Sequence, residues 1–244
     1  MFRYIDFYTL YRYLARSFSF LSTIFAARSK DSNNKLLPIK SPDQRIAHND
    51  SRADIKKLIK LWQHPKNPQV LFAALQVHTI GSSDARVTGV GFSTWLLDNS
   101  FHIESCYWDI DEKNGLEQSS SLTNSSDFRF GRTGYLNCHE IGPVLTTMLD
   151  NLKTAHDIIY LVGYDIQRCI DILEDDNMRL NNMERFDVLG IWQFVKGIIE
   201  PASLKDIVRS IPDLAGSVEL LGNAGNESHV IIQLLKILAR KLVS

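Results

Sequence analysis

The sequence predicts an α/β fold in which strands come first and helices alternate with strands afterwards. Three stretches carry that expectation. Val70–His78 is a nearly continuous apolar run, the pattern of a strand covered on both faces. Arg86–Leu97 (RVTGVGFSTWLL) is rich in β-formers, and a Gly-Ser-Ser-Asp-Ala turn separates it from the first run. At the other end, Leu221–Lys241 opens with an Asn- and Gly-rich turn. It continues with apolar residues at Val230, Ile231, Leu234, Leu235 and Leu238, steps of three and four that define a helix.

A chain of 244 residues with 44% apolar content can bury one sizeable core and carry a short appendage. With 27 basic and 28 acidic residues the formal net charge is −1, so long-range attraction to nucleic acid is not advertised, although a local basic patch is compatible with it. Cys106, Cys138 and Cys169 are odd in number and widely spaced. They suggest free thiols in a reducing, intracellular compartment rather than a disulfide framework or a zinc site. There is no Gly-rich phosphate loop and no Gly-x-Ser-x-Gly elbow.

Taken in order, residues 1–28 form an aromatic, Ser- and Arg-rich extension with one acid, Asp6. Its longest uncharged run, Ser17–Ala27, falls short of the roughly 20 apolar residues of a membrane span, so no transmembrane span is expected there. A mitochondrial-type presequence, a helix that packs on the domain or a membrane surface, and an irregular extension all fit its composition. Residues 29–51 are polar, with Pro38 and Pro42, and are expected to be a linker. The folded domain is then expected over 52–244.

Ala53–His64 has Ile55, Leu58, Ile59 and Trp62 on one side and is expected to be a short helix, stopped by Pro65. Val70–His78, Arg86–Leu97 and Phe101–Tyr107 are expected to form a three-stranded antiparallel meander. Asp109–Asp127 is an acidic, Ser-rich surface loop. Phe128–Arg132 starts the second half. A helix over His139–Leu152 should bury Ile141, Val144, Leu145, Met148 and Leu152. A strand over Asp157–Val162, a helix over Tyr164–Asp175, a short strand or turn at Phe186–Val188, helices at Leu189–Val195 and Pro201–Ile211, and the last helix complete the chain.

Four segments in this order resemble the DEDDh 3′–5′ exonucleases of the ribonuclease H-like superfamily. They are Gly91-Phe92-Ser93-Thr94-Trp95, Leu161-Val162-Gly163-Tyr164-Asp165, Phe186-Asp187, and Asn223-Ala224-Gly225-Asn226-Glu227. The last is similar to the His-Asn-Ala-Gly-Asn-Asp of a fungal branch, which includes the Great-for-Full-DEAD proteins linked to mRNA export and the argonaute-interacting exonuclease QIP. The resemblance covers approximately Val70–Lys241 and implies a ribonuclease H-like mixed five-stranded sheet flanked by helices.

That family holds two divalent ions with four acids and uses a His as general base. Mg²⁺ and Mn²⁺ are hard ions that favour carboxylate oxygen. On this chain the resemblance places Gln76 and His78 where the family has Asp-x-Glu, two residues apart and so on one strand face. Tyr164 stands at the His of the Val-Gly-His strand end, and Cys169 at the helical Asp. Gly222 stands at the general-base His and Glu227 at the final Asp. Asp171 is rotated by about 200° from Cys169 on a helix and is no simple substitute. Asp165, one turn before Cys169, has N-cap as its bland role.

His78 is a type of side chain that could bind a softer ion such as Zn²⁺. Cys169 has no neighbouring base in the sequence and is expected to be a buried, inert thiol. Only Glu227 keeps a carboxylate at a matching position, against the four positive charges of two Mg²⁺ ions. The expectation is a pseudo-exonuclease without a bound cofactor, which binds single-stranded nucleic acid or a protein partner in the nucleus, cytoplasm or mitochondrion. The alternative is a divergent Mg²⁺- or Mn²⁺-dependent exonuclease recruiting Asp165, Glu227 and Asp84. An unrelated enzyme built on His139-Glu140 has no motif behind it, and Trp95 and Trp192 are expected in the core.

Overall fold

The computed structural model describes residues 47–63, 69–80, 86–97, 102–111, 128–173, 179–198 and 200–243. The chain divides into two units, Met1–Ile39 and Lys40–Ser244, and every described residue belongs to the second. The extension 1–28, most of the expected linker and most of the Asp109–Asp127 loop lie outside the described residues.

The described residues form a six-stranded mixed sheet flanked by helices. Strands β1 (Val70–Ile80), β2 (Arg86–Leu96) and β3 (Glu104–Asp111) pair antiparallel in the expected meander. β4 (Gly131–Asn137) runs parallel to β3 at one edge. β5 (Ile158–Gly163) and β6 (Arg185–Asp187) add in parallel on the far side of β1. The spatial order is β4-β3-β2-β1-β5-β6.

The expected five strands therefore become six. The additional strand reads Gly131-Arg-Thr-Gly-Tyr-Leu-Asn, with two glycines and no alternation, and intrinsic preference for the strand is weak. Its pairing with β3, residue for residue from Ser105↔Gly131 to Asp111↔Asn137, supplies what local sequence does not. Two other boundaries differ. The first helix, α1, spans Ala47–Gln63, so the last five residues of the expected linker are helical. β3 begins and ends a few residues later than the Phe101–Tyr107 expectation.

On one face of the sheet lie α1, α4 (Val188–Lys196), α5 (Leu204–Arg209) and α6 (Ala224–Val243). Their apolar sides close on an aromatic centre. Phe72 stacks on Trp95 at 5.5 Å and on Tyr160 at 5.8 Å, with Phe186 6.0 Å away. Trp95 and Trp192 are both buried, as expected. α2 (Ile141–Ala155) buries the five residues expected of it together with Leu149, and α3 (Ile166–Leu173) follows β5.

α6 departs from a simple amphipathic helix. It buries the apolar stripe read from sequence, and it also buries Ser228, His229 and Lys236. The reason is its place across β1, β2 and β3, with α1 and α4 packed on its other sides. The polar residues survive burial because they are paired. Ser93 Oγ donates to Ser105 Oγ (2.8 Å) and lies 2.7 Å from Ser228 Oγ, whose own hydroxyl reaches the Gly225 carbonyl. Ser105 Oγ is 2.9 Å from His229 Nδ1, and the His229 ring lies flat on Phe130 at 3.8 Å. Lys236 places its ammonium 4.5 Å from the centre of the Trp95 ring.

Candidate functional site

The site assembles at the carboxyl ends of the parallel strands β1, β5 and β6, the edge where open α/β sheets present ligand-binding residues. Gln76 and His78 sit near the end of β1, opposite Gly91 and Gly89 of β2. Period two puts both on one face. That face meets α6, because a side chain added at Gly91 would run into the Ala224 carbonyl. The register of β1 against β2 slips between His78 and Thr79, a bulge of the kind that re-aims neighbouring side chains.

The first turn of α6 closes over this strand end. Asn223 caps the helix by accepting from the N–H groups of Gly225 (2.9 Å) and Asn226 (3.1 Å) through Oδ1. Glu227 then has two partners. Its Oε1 accepts from the Gly222 N–H at 2.9 Å, and its Oε2 lies 2.7 Å from His78 Nε2. With Glu227 as a carboxylate, the proton of that second bond sits on His78 Nε2. Gly222 has φ +112, a backbone region that favours glycine, and this aims its N–H back at the helix.

Beside this pair, the Cys169 thiol on α3 faces Gln76 Oε1 across 4.0 Å, a weak contact. Burial pushes the thiol up to about 12, which leaves it protonated and unreactive at neutral pH. The structure thus joins five of the six sequence candidates in two groups, Gln76 with Cys169, and His78 with Glu227 and Gly222.

Asp165, the sixth, does not act as the expected side-chain cap. It takes φ +52, and its main-chain carbonyl accepts from the N–H groups of Arg168 and Cys169. Its own N–H is held by Asp187 Oδ1 at 3.3 Å. Asp187, at the end of β6, is the side chain that organises this corner, since the same Oδ1 caps α4 through the Leu189 N–H at 2.9 Å. The sequence signal for it was an Asp just before an apolar helical run. Burial, and then the nearby Asp165, raise its carboxyl to about 6 even though backbone donors oppose the shift.

A folded-state value above the ordinary 3.8 means that Asp187 adds stability fully only below pH 3.8, and that this is lost as pH rises through 6. Asp187→Asn keeps an acceptor oxygen and removes the charge. It is expected to unfold at higher urea than wild type at pH 8, by about 1–2 kcal/mol, with the advantage vanishing near pH 4. An equal or larger gain at pH 4 would show that ionisation is not the cause.

Other candidates have structural employment. His229, beyond Glu227 on α6, is buried against Phe130 and Ser105 and does not stand in for a general base. Glu140 turns back to accept from the Asn137 backbone N–H at 2.8 Å. Asp84 lies outside the described residues.

A pair of hard divalent ions does not fit the described donor set. Gln76, His78, Cys169 and Glu227 offer one carboxylate, and both of its oxygens already accept hydrogen bonds. Among the described residues no group of three or more His, Cys, Asp or Glu side chains is placed to hold a metal ion. Nor is any described helix long and apolar enough to cross a membrane.

The family model for the C-terminal domain of DNA polymerase III subunit epsilon-like DEDDh proteins matches residues 71–238. The chain belongs to this DEDDh exonuclease-like family. Among solved structures it is similar to a chain of the yeast NOT1 MIF4G domain co-crystallized with CAF1. The identity there is 13%, with 84% of this chain and 92% of that chain covered and a TM-score of 0.35, a likeness that bears on no activity. None of the curated proteins matches the sequence.

Proposed function

We propose that this protein is a pseudo-exonuclease: a DEDDh domain that keeps the family's frame and serves by binding or scaffolding, not by metal-dependent cleavage. One observation carries the reading. The side chains at the four acid positions are paired with one another, His78 with Glu227 and Gln76 with Cys169, in place of four carboxylates awaiting cations. The general-base position is Gly222, which has no side chain to accept a proton. We assign the chain to the fungal Great-for-Full-DEAD/QIP-like branch on its Asn-Ala-Gly-Asn-Glu segment, and place its work inside the cell on single-stranded nucleic acid or a protein partner. A net charge of −1 favours the protein partner.

A second reading, a divergent active 3′–5′ exonuclease, has one observation in its favour: Asp187 and Asp165 lie side by side next to Cys169, and one of them is raised to about 6. Perturbed carboxyls of that kind gather at functional sites. The Asp187 bonds to the Leu189 and Asp165 backbones explain the same burial by a structural role.

The deciding assay incubates the full chain with end-labelled single-stranded RNA and DNA and Mn²⁺, beside Glu227→Gln. No shortening by either protein is the expected result. A ladder of products from wild type that disappears with Glu227→Gln would replace this reading by the second.

A further inference from the structure

We infer that the His78–Glu227 contact takes over the mechanical task that divalent ions perform in an acid-rich site, so that this strand end is held to α6 by an internal clamp. The inference rests on the site reading above, and its test uses no substrate.

The contact joins side chains 149 positions apart in sequence, one on β1 and one in the first turn of α6. A third element is tied in through the same carboxylate, since Glu227 Oε1 accepts from the Gly222 N–H of the preceding loop. One carboxylate therefore bridges strand, loop and helix, as a bound cation would bridge ligands from several elements. Both partners are largely shielded, with side-chain exposures of 28% for His78 and 12% for Glu227. In that setting a 2.7 Å charge-assisted hydrogen bond is stronger than the same pair in open water.

Four carboxylates brought to one strand end repel each other unless cations lie between them. Here the repulsion has been removed at its source. Position 78 carries a donor, positions 76 and 169 carry neutral side chains, and the remaining acid faces two donors. Nothing in that arrangement calls for a metal ion. The bulge after His78 and the glycine backbone at 222 are the local distortions that bring both donors to one carboxylate.

The test is thermal melting of the full chain in excess chelator and in saturating Mn²⁺, for wild type and three substitutions. Wild type is expected to melt at the same temperature in both. His78→Glu sets two carboxylates against each other. It should melt roughly 5 °C or more lower in chelator, and Mn²⁺ should restore part of the loss. His78→Gln keeps an N–H donor and should stay near wild type without any response to Mn²⁺, whereas His78→Ala should fall in both conditions.

A saturable rise of the wild-type melting temperature with Mn²⁺ would overturn the clamp. So would His78→Ala melting like wild type. Should His78→Glu fail to fold in chelator, the His78→Gln and His78→Ala pair still decides the matter. RNA cleavage in the assay above would sink the pseudo-exonuclease reading by itself, whereas metal-responsive wild-type melting would sink the clamp whatever the nuclease result.

Discussion

Gly91→Ala is expected to destabilise the protein by about 3 kcal/mol, with the damage centred on the candidate site. The added Cβ would lie 1.9 Å from the Ala224 carbonyl oxygen and 2.5 Å from the Gly225 nitrogen. Those are backbone atoms in the first turn of α6, so no side chain can rotate away. The helix must lift from β2 or the strand must bend. Either movement pulls Glu227, three residues past Ala224, away from His78.

Urea unfolding followed by circular dichroism measures the loss, and amide hydrogen exchange over 223–228 reports its location. Gly216→Ala is the matched control. Its Cβ would meet nothing within 4 Å, and it should change stability by no more than about 0.5 kcal/mol. If Gly91→Ala behaved like Gly216→Ala, the close approach of α6 to β2 would not be what positions the site.

The same contact shows what the sequence could and could not reveal. The strand carrying Gly91 and Trp95, the Leu-Val-Gly end of β5 and the opening of α6 all have local signatures, and each was placed within a few residues. From the strand period alone, Gln76 and His78 fell on one face, as they do. β4 escaped because its stability comes from pairing with β3, whose sequence lies some twenty residues upstream. The early start of α1 escaped because Ala47-His-Asn-Asp-Ser-Arg has no apolar period to announce it.

At the site, residue types were legible and partners were not. That Glu227 would be used by His78, and not by a cation, depends on a contact across 149 positions. No local pattern encodes such a contact. Asp187 belongs to a matched motif and precedes an apolar helical run, but its shared hold on Leu189 and Asp165 depends on where β6 ends. His229 lies two residues past Glu227 on the same helix. Its burial was hidden by the assumption that polar residues mark the wet side of a helix, an assumption that fails for a helix covered on several sides.

That buried imidazole leads to the second large effect, a loss of stability in mild acid. Burial first, and then the ammonium of Lys236 further along the helix, together lower His229 from 6.5 to about 4. Ser105, Gln233 and the Phe130 ring surround it and supply no negative charge. A folded-state value below the unfolded one means that the unfolded chain binds the proton more readily. The stabilisation is therefore complete above pH 6.5 and is lost as pH falls toward 4. Over that window the difference of roughly 2.5 pH units corresponds to about 3 kcal/mol.

His156, lowered mainly by desolvation, acts in the same sense, while Asp187, raised to about 6, acts in the opposite one. The wild-type curve alone therefore mixes three groups. His229→Gln isolates one of them. It should be less stable than wild type at pH 7.5, because the flat stack on Phe130 is gone, yet it should lose less between pH 6.5 and 4.5. Urea unfolding of both proteins at four pH values across that range gives the two slopes. Equal slopes would mean that the imidazole takes up its proton in the folded state, and that the Ser93–Ser105–His229 chain opens without unfolding the domain.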